Sequence, residues 1–229
     1  MEATTKKEIL CNKTIRSGKS GFSLIEVIIV LVIVSVLTAI SVPYIINYKK
    51  LYKPEDQALK VMDLMREAGQ MALTRRRTIR LEVDLTDNKV LLIDEDTRVV
   101  PAVHREIKAI PLESVADVRM DRKPTGISKP NPPNYNDVVA SSYITDTTGH
   151  VSGGTTVTGH KVWALRFRSD GSVVNKTNSP ISATLYFWTP LTPGSPDPKK
   201  KEEVRAVTIF GGSGAIRYWK HNGTKFLPY

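Results

Sequence analysis

A long apolar run is the strongest pattern in the sequence. Residues 22–46 read FSLIEVIIVLVIVSVLTAISVPYII, in which Glu26 is the single charged residue. A helix needs about 20 apolar residues, at a rise of about 1.5 Å each, to cross a bilayer core. A secretory signal peptide has a shorter apolar region with a small-x-small cleavage site after it, and no such site follows residue 46. The pattern therefore predicts a membrane-spanning helix.

A second helical pattern follows, from Glu55 to about Arg76. Apolar and small residues recur there at helical spacing, with charged residues on the opposite face. The apolar positions are Ala58, Val61, Met62, Met65, Ala68, Gly69 and Ala72. This spacing predicts an amphipathic helix that lies on a sheet. Pro54 precedes it, and the sequence allows either a kink in one helix or a break between two.

Beyond this helix the hydrophobic period changes to two, which predicts β-strands. The predicted strands are residues 79–85, 89–93, 102–110, 115–120, 161–168, 172–174, 181–188, 204–210 and 215–219. Two regions rich in Pro, or in Gly and Thr, predict loops at 122–136 and 145–159. The expected fold class is α+β: a long N-terminal membrane-spanning helix, then an amphipathic helix packed on an antiparallel β-rich head.

The boundary before the apolar run carries a specific motif. Residues 19–26 read KSGFSLIE, which resembles the cleavage and methylation motif of type IV prepilins and type II secretion pseudopilins. In that family a membrane aspartyl peptidase cuts after the glycine and methylates the new amino group of the phenylalanine. The resemblance implies cleavage between Gly21 and Phe22 and N-methylation of Phe22. It divides the chain into a leader, 1–21, a transmembrane and filament-core helix, 22–53, and a region with the amphipathic helix and head, 54–229.

Glu26 is the residue that hydropathy does not explain. A carboxylate well inside an apolar helix costs roughly 2.5–3.5 kcal/mol on insertion scales. The resemblance implies an assembly role, in which Glu26 neutralises the Phe22 ammonium of a neighbouring subunit; the alternative is a single-pass anchor whose carboxylate reaches one interface. Pro43 lies 22 residues after Gly21, where these families commonly carry a proline that kinks the helix.

The later part of the chain is similar to the H-type minor pseudopilin and to FimT-like minor pilins. The similarity comes from the helix at 68–72 leading into the strand at 79–83, from LRFRSDG at 165–171, and from residues 207–217. That family often has an alanine–arginine pair in the helix. Gly69 stands here in place of the arginine, so this position departs from the family pattern.

The net charge and the cysteine content differ between the full chain and the chain without its leader. The chain has a formal charge of +10, and residues 22–229 hold 28 basic and 21 acidic residues, a charge of +7. The single cysteine, Cys11, lies in the leader, so the processed chain has neither a disulfide nor a thiolate metal site. The remaining positive charge raises a second hypothesis, a DNA-binding minor pilin. Its candidate contacts are Arg75, Arg76, Arg77, Lys199, Lys200, Lys201 and Lys220, the last near Tyr218 and Trp219.

The sequence lacks the common catalytic and metal-binding motifs. The histidines, His104, His150, His160 and His221, are far apart and none has a ligand spacing such as H-E-x-x-H. The sequence has neither a G-x-S-x-G elbow nor a serine followed by lysine three residues later. Residues 94–96, DED, predict a solvated acidic turn or, less readily, a cation site. We therefore expect no catalytic residues, no metal site and no cofactor.

The sequence predicts a non-enzymatic minor pilin or pseudopilin of a type II secretion or type IV pilus system. The basic leader favours a cytoplasmic N-terminus, so we expect a single-pass protein of the bacterial inner membrane with its head in the periplasm, either in the membrane or within an extracytoplasmic filament. The resemblance implies as partners the prepilin peptidase, other pilins or pseudopilins, membrane lipid and an inner-membrane assembly platform. The alternatives are the DNA-binding minor pilin and a signal-anchored periplasmic enzyme.

Overall fold

One long helix begins the described part of the chain. The computed structural model describes residues 21–96, 103–131, 136–137, 144–145, 150–152 and 155–229. Helix α1, Leu24–Arg75, continues through both Pro43 and Pro54, so Pro54 does not separate two helices. The predicted apolar and amphipathic segments are thus parts of the same helix. By its internal contacts the chain divides into residues 1–46 and residues 47–229; the second unit is called the head.

Fourteen strands are present in the described residues. They are β1 (Thr78–Asp84), β2 (Lys89–Asp96), β3 (Val103–Pro111), β4 (Arg119–Asp121), β5 (Asn136–Asp137), β6 (Ile144–Thr145), β7 (His150–Ser152), β8 (Thr155–Val157), β9 (Lys161–Phe167), β10 (Val173–Val174), β11 (Ala183–Trp188), β12 (Arg205–Ile209), β13 (Ile216–His221) and β14 (Phe226–Pro228). A short 3-10 helix, Lys201–Glu203, precedes β12.

The strands form two sheets. The first has the order β10-β9-β1-β2-β3-β7-β8, with β6 also paired to β9; the second has the order β14-β13-β12-β11-β4, with β5 also paired to β11. The pairs are antiparallel except β3 with β7 and β11 with β5. The α+β class, the long N-terminal helix and the antiparallel-rich sheets are therefore confirmed.

The hairpin between β1 and β2 shows how local sequence sets the register. Asp84 accepts hydrogen bonds from the backbone N–H groups of Thr86 and Asp87, at 2.8 and 3.0 Å, the usual way in which aspartate initiates a turn. Asn88 adopts a positive φ of 53°, which asparagine tolerates better than most residues. The turn pairs Leu81 with Leu92.

The predicted apolar face of the amphipathic segment is buried. Of the seven expected positions, Ala58, Val61, Met62, Met65, Ala68 and Ala72 are at most 6% exposed, and Leu64 joins them. They share one hydrophobic core with side chains of both sheets, including Leu81 and Leu165 from the first and Phe187 and Val207 from the second. The helix spacing thus predicted six of the core-facing residues correctly, whereas Gly69 is only half-buried and Leu64 was not among the predicted positions.

The face of β1 that carries Arg80 and Glu82 is buried, although the alternation of polar and apolar residues predicts a face exposed to solvent. Arg80 and Glu82 alternate with apolar residues, a pattern typical of a strand with one solvated face, yet their side chains are 0% and 1% exposed. Arg80 contacts Glu95 at 3.1 Å, and Arg166 of β9 contacts the same carboxylate at 3.0 Å. The charges are buried together because each guanidinium has a carboxylate partner.

The acidic segment 94–96 is likewise not a solvated turn. It forms the end of β2, and Asp94 and Glu95 are each 8% exposed. Arg77 contacts Asp94 at 3.1 Å and Asp96 at 3.2 Å. The prediction of a solvated acidic turn was wrong because basic side chains from the end of α1 and from the sheet neutralise these carboxylates.

Three other local predictions differ from the structure. Residues 115–117 form a turn, so the strand predicted at 115–120 is reduced to β4. The loop predicted at 145–159 contains the short strands β7 and β8. Strand β14, which no prediction included, pairs with β13 through Trp219 and Pro228. Strands of three residues are too short to show a period of two.

Lys53 attaches α1 to the loop between β3 and β4. Its ammonium lies 2.8 Å from Asp117 and 3.0 Å from Glu113, and hydrogen bonds to these two carboxylates raise the pKa of Lys53. Gln57, 2% exposed, accepts a hydrogen bond from the Glu113 backbone N–H at 2.8 Å. The buried Pro54 lies between them in sequence.

Glu55 attaches α1 to the second sheet. Its carboxylate contacts Lys220 of β13 at 2.6 Å and Arg205 of β12 at 3.3 Å. Partial burial opposes ionisation, but the Lys220 hydrogen bond and the two positive charges outweigh it and lower the pKa of Glu55. The contacts of Lys53, Glu55 and Gln57 are together called the collar, and they hold α1 within the head on both sides of Pro54.

We expect Gly69→Ala to stabilise the head by up to about 1 kcal/mol, because alanine is the better helix former. The added Cβ meets the Phe167 ring at 3.5 Å, an ordinary contact. Gly211→Ala is the contrasting variant, since its Cβ falls 2.5 Å from the Ile181 backbone nitrogen, and it should lose about 1–3 kcal/mol. Thermal unfolding of the full chain in detergent micelles measures both; a destabilised Gly69→Ala variant contradicts the packing described.

The collar should weaken in acid. Because the pKa of folded Glu55 is lowered, its stabilisation is complete above the ordinary glutamate pKa of about 4.3 and is lost as the pH falls through the lower folded value. Glu55→Gln should therefore cost about 1 kcal/mol at pH 6 and nearly nothing at the lowest pH that the fold tolerates. Asp63→Asn, at a position 71% exposed, is the control. A cost of Glu55→Gln that does not change with pH would contradict the ion pairing.

Candidate assembly site

The first turn of α1 is built by a capping serine. The Ser23 hydroxyl accepts a hydrogen bond from the Glu26 backbone N–H at 3.2 Å, so the helix begins at Leu24. A serine followed three residues later by glutamate is the capping-box pattern. Sequence reasoning did not single out Ser23, although this pattern was available to find it.

Glu26 lies in that first turn and is exposed. Unpaired backbone N–H groups give the start of a helix a partial positive charge, which stabilises a nearby carboxylate by about 0.3–1 kcal/mol. This is less than the roughly 2.5–3.5 kcal/mol that the carboxylate costs in an apolar surrounding. The helix end therefore compensates Glu26 only in part, and a further cation is required if water is excluded.

Gly21 and Phe22 lie immediately before the capping serine. Phe22 is 79% exposed. A Cβ added at Gly21 would meet no described atom within 4 Å. The described residues therefore leave room for a larger side chain at position 21.

The apolar part of α1 exposes its side chains on every side. Leu24–Ile45 has a mean hydropathy of 2.8 and is 0% buried, and it is long and apolar enough to cross a membrane. The hydroxyls of Ser35 and Thr38 donate to the carbonyls of Val32 and Val34, each at 2.8 Å, so their donors are satisfied without water. Such a surface fits lipid or other apolar helices.

Pro43 lies inside this helix near the end of the apolar stretch. Proline has no backbone N–H, so the carbonyl of Ala39 lacks its usual partner four residues later. Helix α1 nevertheless continues to Arg75. The kink expected at Pro43 stays a prediction.

The basic clusters differ in how far they are neutralised. Arg75 and Arg77 both contact Asp94, and Lys220 pairs with Glu55 while its ammonium lies 3.8 Å from the centroid of the Tyr229 ring. Lys199 and Lys200 precede the 3-10 helix and Lys201 begins it, and all three are exposed, as is Arg76. Two of the three clusters proposed for DNA are thus partly engaged by carboxylates of the same chain.

Three side chains that are distant in sequence converge at the β1–β2 hairpin. Ligand atoms of Asp84, Asp87 and His160 lie within 4.8 Å of one another, a geometry that could hold a cation. The His160 Nδ1 is 2.6 Å from Asp84, and Lys89 lies 2.9 Å from Asp87. The hydrogen bond to Asp84 raises the pKa of His160. The short contacts of this group are explained by polar and charged interactions that join the hairpin to the start of β9. Sequence reasoning missed the group because Asp84 and His160 are 76 residues apart.

Comparison with known proteins bears on the N-terminal segment alone. The family model described as the prokaryotic N-terminal methylation motif matches residues 16–42, which include Gly21, Phe22 and Glu26. Curated proteins gave no match, and neither did solved structures. The match carries no information on a subfamily.

The methylation motif indicates the class of protein to which a function can be assigned. It supports a type IV pilin-like or pseudopilin protein, favours a structural pilin over an enzyme, and implies processing by a prepilin peptidase and assembly with other pilins. The apolar helix that follows suggests a membrane anchor. The chain thus carries the prepilin-type N-terminal methylation motif at the start of a helix able to span a membrane.

Proposed function

We propose that this protein is a minor pilin or pseudopilin of a type II secretion or type IV pilus system. It is cleaved after Gly21, methylated on the new amino group of Phe22, and assembled through α1. The observation that carries the proposal is the coincidence of the methylation motif with a predominantly apolar span of 22 residues in α1, Leu24–Ile45, whose side chains are exposed. Within this class, the motifs of the head favour an H-type pseudopilin or a FimT-like minor pilin.

Cleavage creates the charge that Glu26 needs. Cutting the Gly21–Phe22 bond leaves an ammonium on Phe22, one residue before the capping serine. In a bundle of parallel helices, the Phe22 ammonium of one subunit neutralises the Glu26 carboxylate of the next. Their attraction increases as water is excluded, and neither charge is then left buried alone, which would cost several kcal/mol.

The apolar surface of α1 serves two successive environments. Before assembly it lies in the inner membrane with the head in the periplasm, and after assembly the corresponding helices of other pilins cover it. Both environments are apolar, so the inner-membrane assembly platform moves the subunit between them without exposing the helix to water. The partners are then lipid, the prepilin peptidase, the platform and other pilins.

DNA binding is the weaker candidate. The ion pairs of Arg75, Arg77 and Lys220 reduce the number of cations available to phosphates, and affinity for DNA depends on how many phosphates are neutralised. Lys199, Lys200 and Lys201 stay exposed. We therefore favour the assembly role.

Processing is tested by the intact mass of the membrane-extracted protein from cells with active prepilin peptidase. We expect a chain that begins at Phe22 and carries one methyl group. Gly21→Ile should leave the chain uncut and unmethylated, because a branched side chain obstructs the extended backbone that a peptidase requires. Gly18→Ile, three residues earlier, is the control and should be processed normally. Finding the wild-type chain to begin at Met1 would refute the processing step.

The role of Glu26 is tested by exchange to alanine and glutamine. Both Glu26→Ala and Glu26→Gln should reduce the amount of protein recovered in filaments relative to membranes, because neither neutralises an ammonium. Glutamine keeps the size of the side chain and so separates charge from packing. Glu202→Gln, at an exposed site of the head, is the control. Normal incorporation of Glu26→Gln would show that the charge pair does not drive assembly.

A further inference from the structure

Two tyrosines form an exposed pair on α1 within the head. Tyr48 and Tyr52 are 62% and 49% exposed and are one helical turn apart. Their ring centroids lie 4.8 Å from each other, and the Tyr52 hydroxyl donates to the Tyr48 hydroxyl at 2.8 Å. The pair is a preformed patch in which two ring faces are presented to the surroundings.

This patch combines apolar surface with polar edges. Each ring offers a large apolar face, while the two hydroxyls share one hydrogen bond and still accept others from outside. Tyrosine is enriched at membrane–water interfaces because its ring enters the apolar side and its hydroxyl stays with headgroups and water. The exposed Lys49 adds a cation suited to anionic headgroups.

The place of the patch in the chain points to the same environment. Tyr48 follows the last residue of the apolar span, Ile45, by three residues, and Tyr52 follows it by seven. The headgroup region extends roughly 5–8 Å beyond the hydrocarbon on each side, and a helix rises about 1.5 Å per residue. At this rise Tyr48 comes about 4.5 Å and Tyr52 about 10 Å past Ile45, and helical side chains tilt towards the N-terminus, which is here the membrane side. The pair therefore extends from the headgroup region to its outer edge, before Lys53 enters the collar.

We propose that Tyr48 and Tyr52, with Lys49, form an interfacial anchor that binds the headgroup layer of the bilayer and sets the depth of the subunit before assembly. The anchor rests on the proposed function, because it requires that α1 spans a membrane. It assigns to lipid a specific contact surface in addition to the apolar span. Its occupant is the phospholipid headgroup with its glycerol region.

The test uses the full chain in phospholipid vesicles, with a nitroxide as depth probe. Cys11→Ser removes the native thiol, and Leu51→Cys, 43% exposed, places one label beside the tyrosines. Collision of the label with oxygen and with a water-soluble nickel chelate gives its depth, in neutral phosphatidylcholine and with phosphatidylglycerol added. Tyr48→Ser with Tyr52→Ser is the test variant, Tyr48→Phe with Tyr52→Phe retains the rings, and Tyr229→Ser, 85% exposed, is the control.

We expect the label in the parent protein at the outer edge of the headgroup region, and about 3 Å farther towards water in the double serine variant, the rise of two helical residues. The double phenylalanine variant should keep the label at least as deep as the parent, and Tyr229→Ser should not move it. Equal depths in parent and double serine variant would overturn the anchor. Cross-linking between copies through Cys at residue 51 gives a second readout. If the double serine variant keeps its depth but loses this cross-linking, the patch binds another subunit, and the anchor is overturned.

A second label separates this outcome from failure of the proposed function. Residue 37 lies inside the apolar span, so a nitroxide attached through Leu37→Cys should be found at hydrocarbon depth in every variant. A label at residue 37 in water would refute the membrane-spanning helix itself. A label at residue 37 in hydrocarbon, with residue 51 unaffected by the serine exchanges, would refute the anchor alone.

Discussion

The apolar side chains of the N-terminal part of α1 require a cover that the described chain does not supply. Fifteen leucine, isoleucine and valine side chains between Leu24 and Ile45 are exposed. Fully burying one such side chain is worth roughly 1.5–3 kcal/mol, so the whole surface represents tens of kcal/mol. This exceeds the net stability of a typical domain, about 5–15 kcal/mol. Water is therefore an unfavourable surrounding for this segment, and lipid or other apolar helices are the cover that its composition suits.

The part of α1 in the head does not need an external cover, because its apolar face is buried in a hydrophobic core. Residues 58–72 of the helix pack with both sheets, and the collar adds ion pairs from two separate parts of the head to Lys53 and Glu55. Surface ion pairs contribute little singly. Here they are formed by the two residues on either side of Pro54, where the helix lacks one backbone hydrogen bond, and so they support the helix where it is weakest.

Sequence reasoning succeeded where a short-range pattern determines the outcome. The spacing of Ala58 to Ala72 gave the buried helix face, and the motif at Gly21 and Phe22 agreed with the family match. It failed where contacts are distant. The alternation of Arg80 and Glu82 cannot reveal that both faces of β1 are covered, and nothing local links Asp84 to His160. Pro54 was ambiguous because its effect depends on the contacts that its neighbours Lys53 and Glu55 make with distant parts of the head. The cap at Ser23 could have been predicted from the sequence, since its hydrogen bond joins residues only three positions apart.

The Ser23 cap also bears on the energetics of maturation. The bond between Gly21 and Phe22 lies outside the helix, and the hydroxyl that ends the helix belongs to the residue after the new terminus. Under the proposed function, hydrolysis at that bond leaves the hydrogen-bonded first turn as it was. The processed subunit then keeps its first helical turn, and that turn needs no refolding before the subunit associates.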